Sequence, residues 1–289
     1  GKSEWLVIEA DEYTGAFWNY YPAHAVCVNI DLEHIDFYKN LAAVKASFKK
    51  FLTKVPKGGV VVMNKDNDNS VSVSQNIKNG RVVFFSSKEK ARIEKLKGIL
   101  KVPGNHNIMN ALAAWHLAES VGIDENTILS SLSSFKGVWR RLELKGSSKS
   151  QGYKVFDDYA HHPTEIKASL SALKEKYKDK HLACVFQPHQ SRRLVGLYKD
   201  FVGAFSDADS VFLFDVYNPK GRDEISEKYN SITLAKDIPG NKAVYVSSAK
   251  DLKKMISKRA AEMKVKEKNM VVVLMGAGSI TDLIPSLLK

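Results

Sequence analysis

The second half of this chain alternates apolar runs with helical patterns, and that alternation restricts its architecture more than any other feature. Runs near 153–157, 182–186, 210–216, 243–247 and 270–275 read as strands, and helical periodicity begins near 163, 193, 226, 249 and 280. Repeated βα units imply a parallel sheet with helices on both faces. Ligands of such sheets bind beyond the carboxyl ends of the strands. The loops at those ends hold Asp157-Asp158-Tyr159-Ala160-His161-His162-Pro163-Thr164-Glu165, Gln187-Pro188-His189-Gln190-Ser191-Arg192-Arg193, Asp215 to Arg222, and Gly276-Ala277-Gly278.

The first of these loops is unusual in its chemistry. Five ionisable side chains crowd one turn from strand to helix, and no structural need explains that density. A polar loop whose histidines cap the helix is the bland alternative; two aspartates and two histidines together favour a site. Pro163 suits a first helical position, with Ile166, Leu170 and Leu173 following at helical spacing. The Gly276 loop carries glycines of a dinucleotide turn, but no acidic strand end follows it.

The first half is also α/β. Strands are expected at Trp5–Ile8, Ala25–Asn29, Val60–Met63 and Val82–Phe85, and helices from about Phe37 to Phe51, after Pro103-Gly104-Asn105-His106-Asn107, and from Glu125 to Ser133. Acidic or metal-capable residues follow the first two strands: Glu9, Asp11 and Glu12, then Asp31, Glu33 and His34. Residues 135–147 lack clear periodicity, so the domain boundary is placed there, giving domains 1–136 and 137–289. Gly1-Lys2-Ser3 has the letters of a phosphate-loop tail, but a strand pattern follows at once where a helix is needed.

At 289 residues the chain can build about two cores. There is no run of 18 apolar residues and no signal-peptide pattern at the start, so neither a membrane partner nor export is expected and a cytoplasmic enzyme is the default. Cys27 and Cys184 sit in apolar strand-like runs and read as buried thiols. The net charge of +12 invites a nucleic-acid reading. The lysines, however, are spread over helix faces such as 167–180 and 250–268 with no accompanying motif. No nucleic acid is expected as a partner; an anionic small substrate would gain from the same field.

Six ordered segments carry a resemblance: Leu6 to Glu12, Asn29 to Asp36, Pro103 to Ala114, Gly137 to Glu143, Asp157 to Glu165, and Gln187-Pro188-His189. In this order, and with the Gly276 loop, they resemble the Mur ligases of peptidoglycan synthesis, over essentially the whole chain. The implied fold is two α/β units, a partial central ATPase-type domain and a C-terminal Rossmann-like doubly wound parallel sheet. The implied reaction, at the closest match, joins L-alanine to UDP-N-acetylmuramate. ATP phosphorylates the muramoyl carboxylate, and the amine attacks the acyl phosphate. Alternatives are a related ligase that recycles an intact tripeptide and, from another class, a non-catalytic nucleotide- or partner-binding module.

The resemblance also assigns residues. Glu9 and His34 would hold Mg2+, or Mn2+ given the imidazole, and would count with Arg141 as catalytic. His106, Asn107 and Asn110, with Arg141 and Asp158, would bind ATP, Arg141 reaching the transferred phosphate. Tyr159, His189 and Arg193 would line the amino-acid site, with His161, His162 and Arg192 alongside. The family commonly has Arg after Gln-Pro-His and a Thr-Arg pair closing the loop; Gln190 and Ser191-Arg192-Arg193 stand here, which leaves the carboxylate clamp open between Arg193 and Arg192. The N-terminal UDP-sugar domain and the P-loop of the family are not found in these residues, so the chain alone is expected to be an inactive fragment.

Overall fold

The computed structural model describes residues 4–35, 37–218 and 224–288. Gly1-Lys2-Ser3, Asp36 and Pro219-Lys220-Gly221-Arg222, all used in the sequence reading, lie outside the described residues. The chain divides into two compact units, Gly1–Leu100 with Asn107–Ser134, and Lys101–His106 with Phe135–Lys289. The short segment Lys101–His106 belongs to the second unit.

The first unit is built on a parallel sheet of order β1-β2-β3, with β1 at Ala25–Cys27, β2 at Val60–Asn64 and β3 at Arg81–Phe85. Its helices are α1 (Leu41–Leu52), α2 (Asp68–Ser74), α3 (Lys90–Ile99), α4 (Asn105–Ser120, in this unit from Asn107) and α5 (Glu125–Ser134). Alternate residues of a strand point to opposite faces. Val61 and Met63 accordingly join Phe17, Val44 and Phe51 on one side, while Val60 and Val62 join Ile93, Leu96, Leu112 and Trp115 on the other. Asn40 and Asn67 begin α1 and α2 by accepting the backbone N–H groups of Ala43 and Ser70.

Trp5–Ile8 is not a strand. It runs without regular structure, with Leu6 82% and Val7 93% exposed. Apolar alternation specifies a strand only where a neighbour completes its ladder, and the described strands of this unit pair through β2 alone. Glu9 therefore lies on an exposed segment without regular structure.

The second unit holds β4 (Glu143–Ser148), β5 (Tyr153–Asp158), β6 (His181–Phe186), β7 (Ser210–Leu213), β8 (Ala243–Tyr245) and β9 (Met270–Met275), in the order β4-β5-β9-β6-β7-β8. β4 is antiparallel to β5 and the remaining pairs are parallel. The helices are α6 (Pro163–Lys176), α7 (Ser191–Gly196), α8 (Tyr198–Val202), α9 (Ser231–Asp237), α10 (Ala249–Val265) and α11 (Ile284–Leu288). From β5 to β8 the chain advances across the sheet, and from β8 to β9 it returns. Since parallel crossovers are right-handed, the helices must change face at that return.

They do change face. Ile166, Leu170, Leu194, Phe201 and Leu234 from α6 to α9 meet Phe156, Cys184, Phe186 and Val273, while Leu252, Ile256 and Ala260 of α10 meet Val155, Ala183, Val185 and Val272. This is the doubly wound sheet expected, and burial on both faces explains why its strands read as continuous apolar runs. β4 was not legible, because a register shift between Leu144 and Gly146 and an exposed Leu144 break its alternation. The cysteine thiols are buried as expected, and burial pushes Cys27 up to about 12. Among the described residues no helix is long and apolar enough to cross a membrane.

Segment 101–106 joins the second unit through Gly104. Its φ is +100°, and a Cβ there would sit 2.6 Å from Cβ of Ala172 on α6. Gly122 has φ +89° with nothing within 4 Å of a built Cβ. Gly104→Ala should therefore cost more than Gly122→Ala, by about 1–3 kcal/mol in urea unfolding, because only the first adds a steric clash to the backbone strain. Equal losses would show that 101–106 does not seat on α6.

Candidate functional site

The carboxyl end of β5 is fixed by two consecutive carboxylates that point opposite ways. Asp157, 1% exposed, accepts the Thr281 hydroxyl at 2.8 Å and lies 3.4 Å from Nε of the buried Arg140. Asp158, 2% exposed, accepts the N–H of Leu142 at 3.0 Å, the N–H of Ala160 at 2.7 Å and the hydroxyl of Ser169 at 2.9 Å. Burial raises its pKa to about 6, against the lowering effect of those hydrogen bonds. Both oxygens of Asp158 accept hydrogen bonds from the protein's own donors, so it ties linker, loop and α6 together.

Arg140 is the buried member of the pair it forms with Arg141, donating to the carbonyl of Gly276. Arg141 is exposed and pairs with Glu165 at 3.3 Å. Glu165 is desolvated, which alone would raise its pKa, but the charge and N–H of His161, the charge of Arg141 and the N–H of His162 hold it low. His162 is the N-cap of α6 in a capping box with Glu165, accepting the Thr164 N–H at 3.2 Å. For this histidine the helix-capping reading holds.

The remaining strand-end groups form an aromatic chain. Tyr159 and His161 meet edge to face at 5.4 Å, His161 and His189 at 6.0 Å, and His189 stacks on Tyr217 at 5.4 Å and 15°. Arg193 is buried and donates to the His189 carbonyl at 3.1 Å, whereas Arg192 is exposed. Tyr217 carried no role in the sequence reading, although it follows β7, whose end the strand-end rule marks. Gln190, at φ +67°, occupies a backbone conformation strained for a non-glycine residue, at the turn between His189 and α7.

His106 also belongs to this unit. Burial, then the charge of Arg141, lowers its pKa, so its imidazole is neutral near pH 7. Arg141 further lines a cavity of about 460 Å³ with Lys101, Lys136, Trp139, Lys176 and Tyr177, a cationic and aromatic surface assembled from three separate segments. In the first unit Asn107 and Asn110 lie three apart on α4.

Metal-capable groups of the first unit gather at Asp11, Glu12 and His34, whose ligand atoms lie within 4.8 Å of one another. His34 Nε2 is 2.9 Å from Glu12 Oε1, and that hydrogen bond, against burial, lowers the Glu12 pKa. Glu9, expected as the carboxylate partner of His34, is outside this group. Two carboxylates and one imidazole fit a divalent cation of hard to borderline character.

Two family models cover most of the chain: residues 2–118 match the Mur ligase middle domain, and residues 140–278 the Mur ligase glutamate ligase domain. The chain belongs to the Mur ligase family. It is 41% identical, over 75% of its length and 52% of the other protein, to the UDP-N-acetylmuramate–L-alanine ligase of Caldicellulosiruptor saccharolyticus. To the ligase of that name from Caldicellulosiruptor bescii it is 35% identical over 100% of this chain and 66% of that one. This Mur ligase chain thus spans about half to two thirds of the length of these curated relatives. The crystal structure of the UDP-N-acetylmuramate-alanine ligase of Thermotoga maritima shares the fold, with TM-score 0.69 and 24% identity over 95% of this chain and 60% of that one.

The raised pKa of Asp158 has a consequence for stability. Between its ordinary value of 3.8 and about 6 the folded Mur ligase chain holds a proton that the unfolded chain has released, so stability falls as pH rises through that window. The effect is about 3 kcal/mol at most. In urea unfolding, the stability of wild type relative to Asp158→Asn should decline between pH 3.8 and about pH 6. A constant difference would mean that Asp158 titrates normally.

Proposed function

We propose that the protein carrying this chain is an ATP-dependent amide-bond ligase that joins L-alanine to UDP-N-acetylmuramate. The observation that carries this reading is the 35–41% identity to ligases of that name, which at 35% extends over the whole chain and so across the strand-end loops of the second unit. The aromatic and cationic character of those loops supports it.

In this reaction the muramoyl carboxylate takes the γ-phosphoryl group of ATP to form an acyl phosphate. The amine of L-alanine attacks the acyl carbon, the C–O bond to phosphate breaks, and the nitrogen loses its proton as the amide forms. Most of the catalysis is positioning and charge neutralisation. Arg141, exposed and steadied by Glu165, neutralises charge on the transferred phosphoryl group. His106, neutral, offers nitrogen donors and acceptors to the nucleotide without adding charge, and Asn107 and Asn110 offer amides from one helix face. Asp11, Glu12 and His34, with Glu9 nearby in sequence, would hold Mg2+ or Mn2+, which would supply further neutralisation of the phosphates.

The acceptor side belongs to the second unit. Tyr159, His161 and His189 form its wall, and the exposed Arg192 supplies positive charge for the amino-acid carboxylate. Arg193 acts one step behind, fixing the His189 backbone. Asp158 and His162 keep the loop in shape.

Two outcomes check this reading in the full-length protein. Arg141→Ala should lower kcat by about a hundredfold or more while UDP-sugar affinity changes little; unchanged turnover would remove Arg141 from the phosphoryl site. In competition between L-alanine and the L-alanyl-γ-D-glutamyl-diaminopimelate tripeptide, L-alanine should be incorporated preferentially. Preference for the tripeptide would replace this reading by the recycling ligase, and incorporation of neither would leave a binding module.

A further inference from the structure

His189 sits on a loop, and a loop histidine is useful at an acceptor site only if its ring is held in one orientation. Its main chain is fixed by Arg193, which donates to its carbonyl, and by a short parallel bridge to Tyr217. In that bridge Tyr217 donates to the Pro188 carbonyl at 2.7 Å, and Gln190 donates to the Tyr217 carbonyl at 2.9 Å. These bonds set the path of the loop, and Arg193 Nη1 also reaches Nδ1 of the His189 ring at 3.4 Å, holding one edge of it. The near-parallel stack on the Tyr217 ring, 5.4 Å and 15°, sets the plane of the imidazole about that edge.

The Tyr217 ring is itself seated by Gly278. A Cβ built on Gly278 would come within 2.5 Å of Tyr217 Cγ and 2.8 Å of Gln187 Oε1, distances that side chains do not tolerate. Gly278 lies just beyond the end of β9, Tyr217 beyond β7 and His189 beyond β6. One constraint thus runs across three strand ends, from a bare glycine to an aromatic ring to the histidine.

We propose that Tyr217, seated on Gly278, is a positioning residue that sets the orientation of His189 and thereby the affinity for the acceptor amino acid. The proposal rests on the acceptor reading above. Tyr217 contributes its ring plane and not its hydroxyl, so phenylalanine should replace it.

The test uses the full-length protein with two readouts. The His189 Hε1 signal, assigned by comparison with His189→Gln, reports ring-current stacking by NMR without turnover. Steady-state kinetics with UDP-N-acetylmuramate report the KM for L-alanine and for ATP. Tyr217→Leu, which preserves the main-chain bridge, should move the His189 signal and raise the L-alanine KM on the order of tenfold, with the ATP KM little changed. Gly278→Ala should do the same, and Tyr217→Phe should restore wild-type values in both. An unmoved His189 signal in Tyr217→Leu overturns the proposal. So does a moved signal with an unchanged L-alanine KM. A wild-type protein that turns over no L-alanine overturns the acceptor reading, and this role with it, even where the signal moves.

Discussion

Two neighbouring carboxylates at the end of β5 constrain everything around them. Successive residues of a strand point to opposite faces, so Asp157 and Asp158 necessarily reach into different layers. Asp157 meets Thr281, in the turn after β9, and Arg140; Asp158 meets Ser169 on α6 and the main chain at Leu142 and Ala160. Arg140 in turn reaches the Gly276 carbonyl. The linker residues 140–142, the loop after β5 and the loop after β9 are held by one network of buried polar groups. Removing one partner from such a network strands the others without solvent, which is why these groups serve architecture more than ligand contact.

That fixed frame supports the adjacent loops. Tyr159, His161, His189 and Tyr217 form a continuous aromatic series beside it, while the exposed Arg141 and Arg192 bring charge, the first preceding the series in sequence and the second lying within it. Each of the two arginine pairs, 140–141 and 192–193, splits into a buried anchor and an exposed cation. The same division therefore gives each loop both a fixed backbone and an exposed charge.

The sheet of the second unit was legible because both its faces are covered, which forces apolar runs, and because His162, Pro163 and Glu165 mark the start of α6 by their capping chemistry. The motifs also pointed correctly to the family. Partner choice was not legible. Which of two tandem arginines is buried depends on Gly276, more than a hundred residues away in sequence, and His34 found Glu12 where Glu9 was expected because the Trp5–Ile8 segment has no strand to join. The irregular β4 escaped notice for the opposite reason to β5, since an exposed, bulged edge has little apolar periodicity to read.

The central claim is that the strand-end loops of the second unit receive the amino-acid acceptor. It is tested most directly by titrating L-alanine into the full-length protein, loaded with UDP-N-acetylmuramate and a non-hydrolysable ATP analogue, while following histidine Hε1 signals by NMR. The account predicts that His161 and His189 shift with saturation, while His181, at the opposite end of β6, and His24 and His116 of the first unit remain where they are. Saturable shifts confined to the latter group, or none at His189, would contradict it.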